Sequence, residues 1–454
     1  MKTTLQKSLP LIALCLGFFM VIMDVTIVNV ALPDMSKNLQ GNISWLQWVV
    51  DGYTLTFACL LLSSGSFADR VGAKSTYLAG LVLFTLTSFG CGVSPNFLIL
   101  IVMRLLQGMG AALLVPTSLS LVNASYEHKK DRAFALGMWS AIGGIAASAG
   151  PMLGGFLVSY FGWRSVFFVN IPIGLLVFFL TQKTVSNPKP DQTGHFDIAG
   201  QLLGIISIAA LSFALIESGR FGFSSFIVIT AFMIFAVTFI AFLYVEHNST
   251  SPMIPLHFFK SSAFSTSIMI GWILSFGGYG LLFVLTLYFQ HIRNYSPLVT
   301  GFAFFPFLGT NFIGSYLGGK LASISGSRLP MMIGLFVGAI GYFSLLFFHT
   351  ETPYFMMILP LIAMGFGVAF VIPGATVTAI HSAPEGRAGI ASGALNASRQ
   401  LGSLMGVAIF GTIITLSKQF IVGMHIALCI GGFCYLGGCI LVYCFISTDT
   451  DNAH

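Results

Sequence analysis

The chain has 454 residues, of which 56% are hydrophobic and only 7% are charged, and its formal net charge at pH 7 is +6. Soluble domains have roughly a quarter of charged residues, so this composition and a mean hydropathy of +0.91 exclude a soluble protein and indicate a membrane protein with many spans. The seven cysteines are scattered through apolar stretches, which favours small packing residues over disulfides or metal ligands.

Fourteen apolar segments are long enough to cross a bilayer as helices, which takes about 20 residues each. The first starts at Leu9. It is too long for the core of a signal peptide and no small-residue cleavage site follows it, so we expect it to remain as a helix. The predicted segments are approximately 9–31, 44–64, 75–94, 97–121, 134–158, 165–181, 198–216, 225–245, 263–289, 299–320, 329–349, 354–378, 388–416 and 424–446.

The lysines and arginines between these segments predict the orientation of the chain, because cytoplasmic loops carry an excess of them. With the amino terminus inside, thirteen cations fall on the cytoplasmic side and five on the outer side, so both termini are predicted to be cytoplasmic. The cytoplasmic set is Lys2, Lys7, Arg70, Lys74, Lys129, Lys130, Arg132, Lys183, Lys189, Lys260, Lys320, Arg328 and Arg387, and the outer set is Lys37, Arg164, Arg220, Arg293 and Lys418.

The chain also contains an internal repeat. The decapeptide GSFADRVGAK at residues 65–74 returns, less charged, as GKLASISGSR at residues 319–328, and both copies have glycine at the first and eighth positions. The glycine motif of residues 108–116 returns at residues 365–373, and residues 131–133 return at 386–388. Three motifs at nearly one offset predict a duplicated membrane half.

Each half holds six predicted helices, yet the offset is longer than six helices require. Segments 198–216 and 225–245 account for the surplus, and we interpret them as an insert. The predicted fold is therefore an all-α membrane protein of two pseudo-symmetric six-helix bundles joined through two extra helices. The predicted domains are residues 1–185, a two-helix insert with cytoplasmic linkers at 186–262, and residues 263–454.

Several motifs resemble those of one transporter family. Residues 65–74 resemble the loop between the second and third helices of the major facilitator superfamily, although Phe67 and Ala73 depart from its pattern. In chain order, residues 24–33, 104–110, 137–155 and 163–174 resemble the first-, fourth-, fifth- and sixth-helix motifs of the branch of 14-helix drug:proton antiporters, with Ala146 where glycine is usual. The resemblance covers essentially the whole chain.

This resemblance implies a proton-coupled secondary transporter that exports hydrophobic, cationic drugs or toxic compounds by alternating access. It further implies a monomer in the bacterial cytoplasmic membrane, without cofactor, metal or nucleic-acid partner. The chain has no ATP-binding motif and no nucleophile constellation, which disfavours an ATP-driven pump or an enzyme. Export of an endogenous metabolite or siderophore is an alternative, as is a non-transporting receptor or scaffold.

Four charged residues fall inside predicted helices, where a charge is costly unless it is paired or wet. At ~1.5 Å of rise per residue, Asp24 lies ~8 Å below the outer boundary, and Asp51 and Arg104 lie ~10 Å below it. We expect these three to form a proton-coupling cluster in which Arg104 neutralises one carboxylate and burial favours protonation of the other. The alternatives are a structural ion pair and, for Asp51, a solvated residue near a helix start.

The fourth charge, Arg399, is predicted near the midplane, beside Asn396 and Gln400, in a polar patch that binds substrate or a partner carboxylate. Aromatic residues are candidates for a cavity that takes flat hydrophobic cations. The predicted substrate-cavity set is Met23, Asn29, Trp48, Tyr53, Gln107, Tyr288, Phe305, Asn396 and Arg399.

Two further motifs are predicted to serve the change between states. The loop residues Gly65, Asp69, Arg70, Gly72 and Lys74 form a candidate gate, as the resemblance implies. Asp69 would bond a helix N-terminus, and Arg70 and Lys74 would pair with carboxylates such as Asp131; the alternative is that they only determine topology. A candidate interface motif consists of Gly150, Pro151, Gly154 and Gly155, where small residues and a kink allow rocking or serve packing alone.

Overall fold

The computed structural model describes residues 4–126, 128–186, 197–249, 252–253, 255–384 and 387–447, and only the main chain of residues 4–7, 62, 66, 69 and 129. All regular elements in these ranges are helices. They are α1 (Thr4–Leu39), α2 (Ile43–Val71), α3 (Ala73–Gly92), α4 (Phe97–Ser125), α5 (Lys129–Phe161), α6 (Ser165–Phe168), α7 (Asn170–Thr184), α8 (Ile198–Phe221), α9 (Phe226–Asn248), α10 (Ser262–Leu287), α11 (Pro297–Ala303), α12 (Phe305–Leu308), α13 (Asn311–Ser325), α14 (Arg328–Ser344), α15 (Tyr354–His381), α16 (Ala388–Leu416) and α17 (Phe420–Phe445). Short 3-10 turns lie at Leu256–Lys260 and Leu345–Phe347, and a π turn lies at Tyr288–Ile292.

The predicted all-α, 14-helix fold is confirmed. Within the described ranges, thirteen helical stretches are long and apolar enough to cross a membrane. The fourteenth is α2, which has 29 residues and carries three charged residues, Asp51, Asp69 and Arg70. The orientation predicted from the lysines and arginines stays a prediction, and Lys2 and Lys189 of that count lie outside the described residues.

The repeated decapeptide has the same local structure in both copies. Its eighth residue, Gly72 in the first copy and Gly326 in the second, ends a helix with φ of +100° and +75°. This left-handed region is open to glycine and strained for other residues. The eighth-position glycines of the motif therefore have a conformational cause that the repeat alone could not prove.

The chain divides into two compact units, which we call the first unit (Met1–Ile205 with Ser296–Gly301) and the second unit (Ile206–Tyr295 with Phe302–His454). In the first unit, α4 packs on α2 and α3, and α1 packs on α5 and α7. In the second unit, α10 packs on α16, and α15 packs on α13 and α14. The three-part division at residues 185 and 262 stays a prediction.

The duplication is visible in the packing inside each unit. In the first, a Cβ on Gly108 of α4 would meet the carbonyl oxygen of Tyr53 on α2. In the second, a Cβ on Gly365 of α15 would meet the carbonyl oxygen of Phe307 on α12. Small residues let membrane helices approach this closely. The same contact therefore recurs at the offset of the sequence repeat.

Candidate functional site

The centre of the first unit holds a buried ion pair between α1 and α4. Nη1 of Arg104 donates to Oδ2 of Asp24 at 2.5 Å, and the two side chains are 1% and 0% exposed. The sequence predicted both residues as one cluster from their depth along separate helices, and the structure brings them together. A charge pair without access to water is stabilised only if its remaining donors and acceptors are also satisfied.

Neighbouring polar groups satisfy most of the remaining hydrogen-bond donors and acceptors of the Asp24–Arg104 pair. Oδ1 of Asp24 accepts hydrogen bonds from Nε2 of Gln107 at 3.1 Å and from Nδ2 of Asn170 at 2.9 Å. Arg104 also donates through Nη1 to Oε1 of Gln107 at 2.9 Å and through Nε to the carbonyl oxygen of Val49 at 3.0 Å. Asp24 thus accepts three hydrogen bonds, one of them from a guanidinium.

Aromatic rings enclose the guanidinium. The Cζ atom of Arg104 lies 4.4 Å from the ring centre of Tyr53 and 5.8 Å from that of Phe167. The hydroxyl of Tyr53 donates to the carbonyl oxygen of Val21 on α1 at 3.3 Å. Cation–π contacts of this kind stabilise a desolvated cation by about 1–2 kcal/mol. Tyr53, predicted as a cavity residue, is fully buried and serves the ion pair here.

Asn170 is the site residue that the sequence reasoning did not assign. The helix that enters this region breaks at Val169, between α6 and α7, and Asn170 begins α7. Its Nδ2 also donates to Oγ of Ser88 at 3.0 Å, and Ser88 donates to the carbonyl oxygen of Phe167 at 2.9 Å. The signal available in the sequence was an amide inside an apolar run, immediately before the Ile-Pro of residues 171–172.

Asp51 is buried in the same unit without such partners. Its side chain is 0% exposed, and neither carboxylate oxygen has a hydrogen-bond partner among the described residues. The hydroxyl of Thr54 donates to the carbonyl oxygens of Val50 and Asp51 itself. Asp51 lies on α2 between Val49 and Tyr53, both of which contact Arg104. Asp51 therefore lies within one helical turn of two residues that contact Arg104, as the depth estimate predicted. It forms no hydrogen bond with Asp24, Arg104, Gln107 or Asn170.

Comparison with known proteins identifies the family. The sequence profile of the Major Facilitator Superfamily matches residues 14–407. This chain belongs to the major facilitator superfamily. It is a multi-pass membrane transporter, and the predicted family is confirmed.

The transporter is similar over nearly its full length to proteins that are named for drug resistance. It is 37% identical over 446 residues to the methylenomycin A resistance protein of Bacillus subtilis, covering 98% of this chain and 95% of that one. It is 38% identical over 408 residues to the multidrug resistance protein Stp of Mycobacterium tuberculosis, covering 90% and 76%. The inward-open xylose transporter XylE of E. coli shares its fold, with a TM-score of 0.69 at 15% identity and 96% of each chain covered.

The other cavity residues predicted for the transporter have separate surroundings. In the first unit, Met23 and Asn29 are buried, and Trp48 is half-buried. Nδ2 of Asn29 donates to the carbonyl oxygen of Val25 at 3.0 Å. That any of these residues contacts substrate stays a prediction.

In the second unit, Tyr288 is buried and its hydroxyl donates to the carbonyl oxygen of His349 at 2.9 Å, which anchors a loop. Phe305 is 59% exposed, Asn396 is exposed and Arg399 is half-buried. The predicted cavity residues thus come from both units. A common substrate cavity stays a prediction.

The candidate gate differs in one contact from the prediction. Nζ of Lys74 donates to the carbonyl oxygens of Gln182 at 3.0 Å and Val185 at 2.7 Å, so it caps the carboxyl end of α7 and does not pair with Asp131. The pairing prediction for Lys74 was wrong because carbonyl groups at a helix end attract a cation as a carboxylate does. The side chain of Asp69 lies outside the described residues.

The interface motif lies where α5 meets α1. A Cβ on Gly150 would meet the hydroxyl of Thr26, and one on Gly154 would lie 2.8 Å from the carbonyl oxygen of Ile27. Gly155 lies against the main chain of Pro297. Close packing therefore explains these glycines, and a role in rocking stays a prediction.

Proposed function

We propose that the transporter exports hydrophobic, drug-like compounds from a bacterial cytoplasm in exchange for protons. It works by alternating access in the cytoplasmic membrane, with both termini inside. Its resemblance to the two resistance proteins supports drug export, and the buried carboxylates of the first unit support proton coupling.

The observation that carries the proposal is that Asp51 is buried without a hydrogen-bond partner, close to an ion pair that neighbouring groups hydrogen-bond. An ionised carboxylate without donor or cation is costly in an apolar surrounding, and a bound proton removes that cost. Asp24 differs because Arg104, Gln107 and Asn170 all stabilise its charge. We assign proton binding and release to Asp51. The role that we assign to Asp24 is to hold Arg104 in place.

In this scheme Asp51 takes a proton from the outer side and releases it to the cytoplasm, while a compound leaves in the opposite direction. The sequence favoured cationic compounds, because a cation competes with the proton for one carboxylate. In that case the ionised Asp51 attracts the substrate, and protonation displaces it.

The test uses everted vesicles from an efflux-deficient bacterium, acidified inside and containing a pH-sensitive dye. Methylenomycin A and a panel of hydrophobic cations are added in turn. An exported compound should release luminal protons from vesicles with the natural protein. Asp51→Asn should abolish this release while the protein remains inserted and folded, and Asp51→Glu should restore part of it.

The matched control is Asp34→Asn, which removes a carboxylate near the outer end of α1, away from the ion pair. It should leave proton release intact. Asp24→Asn should also abolish release, because it leaves Arg104 without its counter-ion. Normal proton release by both Asp51→Asn and Asp24→Asn would disprove the proposed coupling.

A further inference from the structure

Arg399 is a cation in the middle of a membrane helix. It is the twelfth of the 29 residues of α16, which places it roughly 17 Å from the start of the helix at ~1.5 Å of rise per residue. An arginine side chain near a helix end reaches the interface, but one at this depth does not. Its charge must therefore be balanced by a group inside the protein or by water in a cavity.

No group of the described residues balances it. Nε of Arg399 is buried without a hydrogen-bond partner, and the guanidinium has no carboxylate within ion-pair distance. The contrast with Arg104 is direct, since that guanidinium makes three hydrogen bonds, one of them to Asp24. Both arginines lie at membrane depth, but Arg104 is 1% exposed and paired with Asp24, whereas Arg399 is half-buried and has no carboxylate counter-ion among the described residues.

The sequence of the second unit explains the difference. Up to residue 445, the acidic residues of the second unit are Glu217 on α8, Glu246 on α9, Glu351, which precedes α15, and Glu385, which lies outside the described residues. Helices α10 to α17 therefore offer Arg399 no carboxylate at any depth. A charged residue at a helix centre is costly on insertion scales, so an arginine without a counter-ion at this depth points to a function.

The surroundings of Arg399 have the form of a binding site. Ser403 lies one turn further on the same face of α16, is 1% exposed, and its hydroxyl also has no partner. On α10, Gly271 leaves room for the arginine side chain, since a Cβ there would lie 3.3 Å from Cγ of Arg399. One turn of helix thus carries a guanidinium nitrogen, Nε of Arg399, and a hydroxyl, Oγ of Ser403, that are both buried without a hydrogen-bond partner.

We propose that Arg399 and Ser403 bind the carboxylate of the exported compound, so that the substrates of this transporter are hydrophobic organic acids. A guanidinium holds a carboxylate by two parallel hydrogen bonds, and a serine hydroxyl donates a third to one of its oxygens. A cationic compound would be repelled at this position. The inference rests on the proposed export function and changes the charge that the sequence predicted for the substrate.

The test measures equilibrium binding and transport separately. Purified protein in lipid nanodiscs is titrated with 2-naphthoate and indole-3-acetate, and with the uncharged carboxamide of each. The variants are Arg399→Gln, Arg399→Lys and Ser403→Ala. The control is Arg387→Gln, which removes the cation that precedes α16 but lies outside the membrane segment.

The natural protein should bind the acids more tightly than the amides. Arg399→Gln should weaken acid binding by about 10-fold to 100-fold, the range of a charge-assisted hydrogen bond, and change amide binding less than about twofold. Ser403→Ala should weaken acid binding by about threefold to tenfold. Arg399→Lys should retain part of the affinity, since lysine keeps the charge without the planar fork. Arg387→Gln should bind as the natural protein does.

Two results would overturn the inference: no binding of either acid by the natural protein, or equal losses for acid and amide in Arg399→Gln. The second would mark Arg399 as structural, and the melting temperature of Arg399→Lys would then fall as well. Transport of the same acids in everted vesicles tests the proposed function independently. Acid binding without proton-coupled transport would refute the export function and leave the binding site standing.

Discussion

Asp24→Asn and Asp51→Asn make the same chemical change at two fully buried aspartates, and the structure predicts different effects on stability. Asp24 accepts hydrogen bonds from Arg104 at 2.5 Å, Gln107 at 3.1 Å and Asn170 at 2.9 Å. An asparagine offers one acceptor oxygen and leaves the guanidinium without a counter-ion. Removing one partner of a buried pair costs about 3–5 kcal/mol, which is the loss we expect for Asp24→Asn.

Asp51→Asn removes a carboxyl group that accepts no hydrogen bond and faces no cation among the described residues. We expect Asp51→Asn to change the free energy of unfolding by less than about 1 kcal/mol in either direction. Arg104→Gln should cost about as much as Asp24→Asn. The double variant of Asp24 and Arg104 should lose at least about 2 kcal/mol less than the sum of the single losses, since it strands no charge.

The assay is denaturant unfolding of the purified protein in mixed micelles, followed by tryptophan fluorescence, with refolding checked for each variant. Unfolding rates in one denaturant concentration replace free energies where refolding fails. Equal losses for Asp24→Asn and Asp51→Asn would refute the reasoning, because Asp51 would then have an ionic partner comparable to Arg104. A negligible loss for Asp24→Asn would show that the ion pair does not stabilise the fold.

Three further changes test single contacts. Asn170→Ala removes one donor from the buried carboxylate and should cost about 1–2 kcal/mol in the same unfolding assay; Asn170→Asp, which adds a second carboxylate, should cost more. Gly150→Ala should lower the free energy of unfolding by about 1–3 kcal/mol, because the added Cβ meets the hydroxyl of Thr26. Gly144→Ala, which has open space at that position, should be neutral. Equal effects of the two changes would contradict the packing argument. Lys74→Ala should speed amide hydrogen exchange at the end of α7 several-fold, and unchanged exchange would show that the lysine is not a cap.

The helices and the ion pair were predictable because each depends on local sequence. An apolar run of about 20 residues has few alternatives to a membrane helix. Counting residues along three helices placed Asp24, Asp51 and Arg104 at one depth, and the contacts of Arg104 with Asp24 and with the Asp51 region agree with that estimate. Depth is fixed by the rise per residue, so it needs no knowledge of packing.

The sequence did not predict how each helix is rotated about its own axis. Whether Asp51 or Asp24 faces Arg104 depends on how α1, α2 and α4 pack. The break at Val169 has a local signal, because Pro172 has no N–H for the carbonyl of Phe168, but the contact of Asn170 with Ser88 depends on packing.

The internal repeat allows one further comparison. At the offsets of the repeat, Phe305 stands where the first half has Asp51, and Leu361 stands where it has Arg104. Leu361 is fully buried, as Arg104 nearly is. The second half therefore has apolar side chains at both positions, buried at Leu361 but 59% exposed at Phe305.

The unequal division of charge between the halves has an electrical consequence. The first half offers the unpartnered carboxylate of Asp51, and the second offers the unpartnered guanidinium of Arg399. If one proton enters for each monoanion that leaves, two positive charges move inward in every cycle. Such transport is driven by the membrane voltage as well as by the pH difference, with about 2.3 kcal/mol per charge for every 100 mV. A potassium diffusion potential, negative on the cytoplasmic side and imposed without a pH gradient, should then drive export of an acid, whereas exchange of one proton for a monocation would not respond.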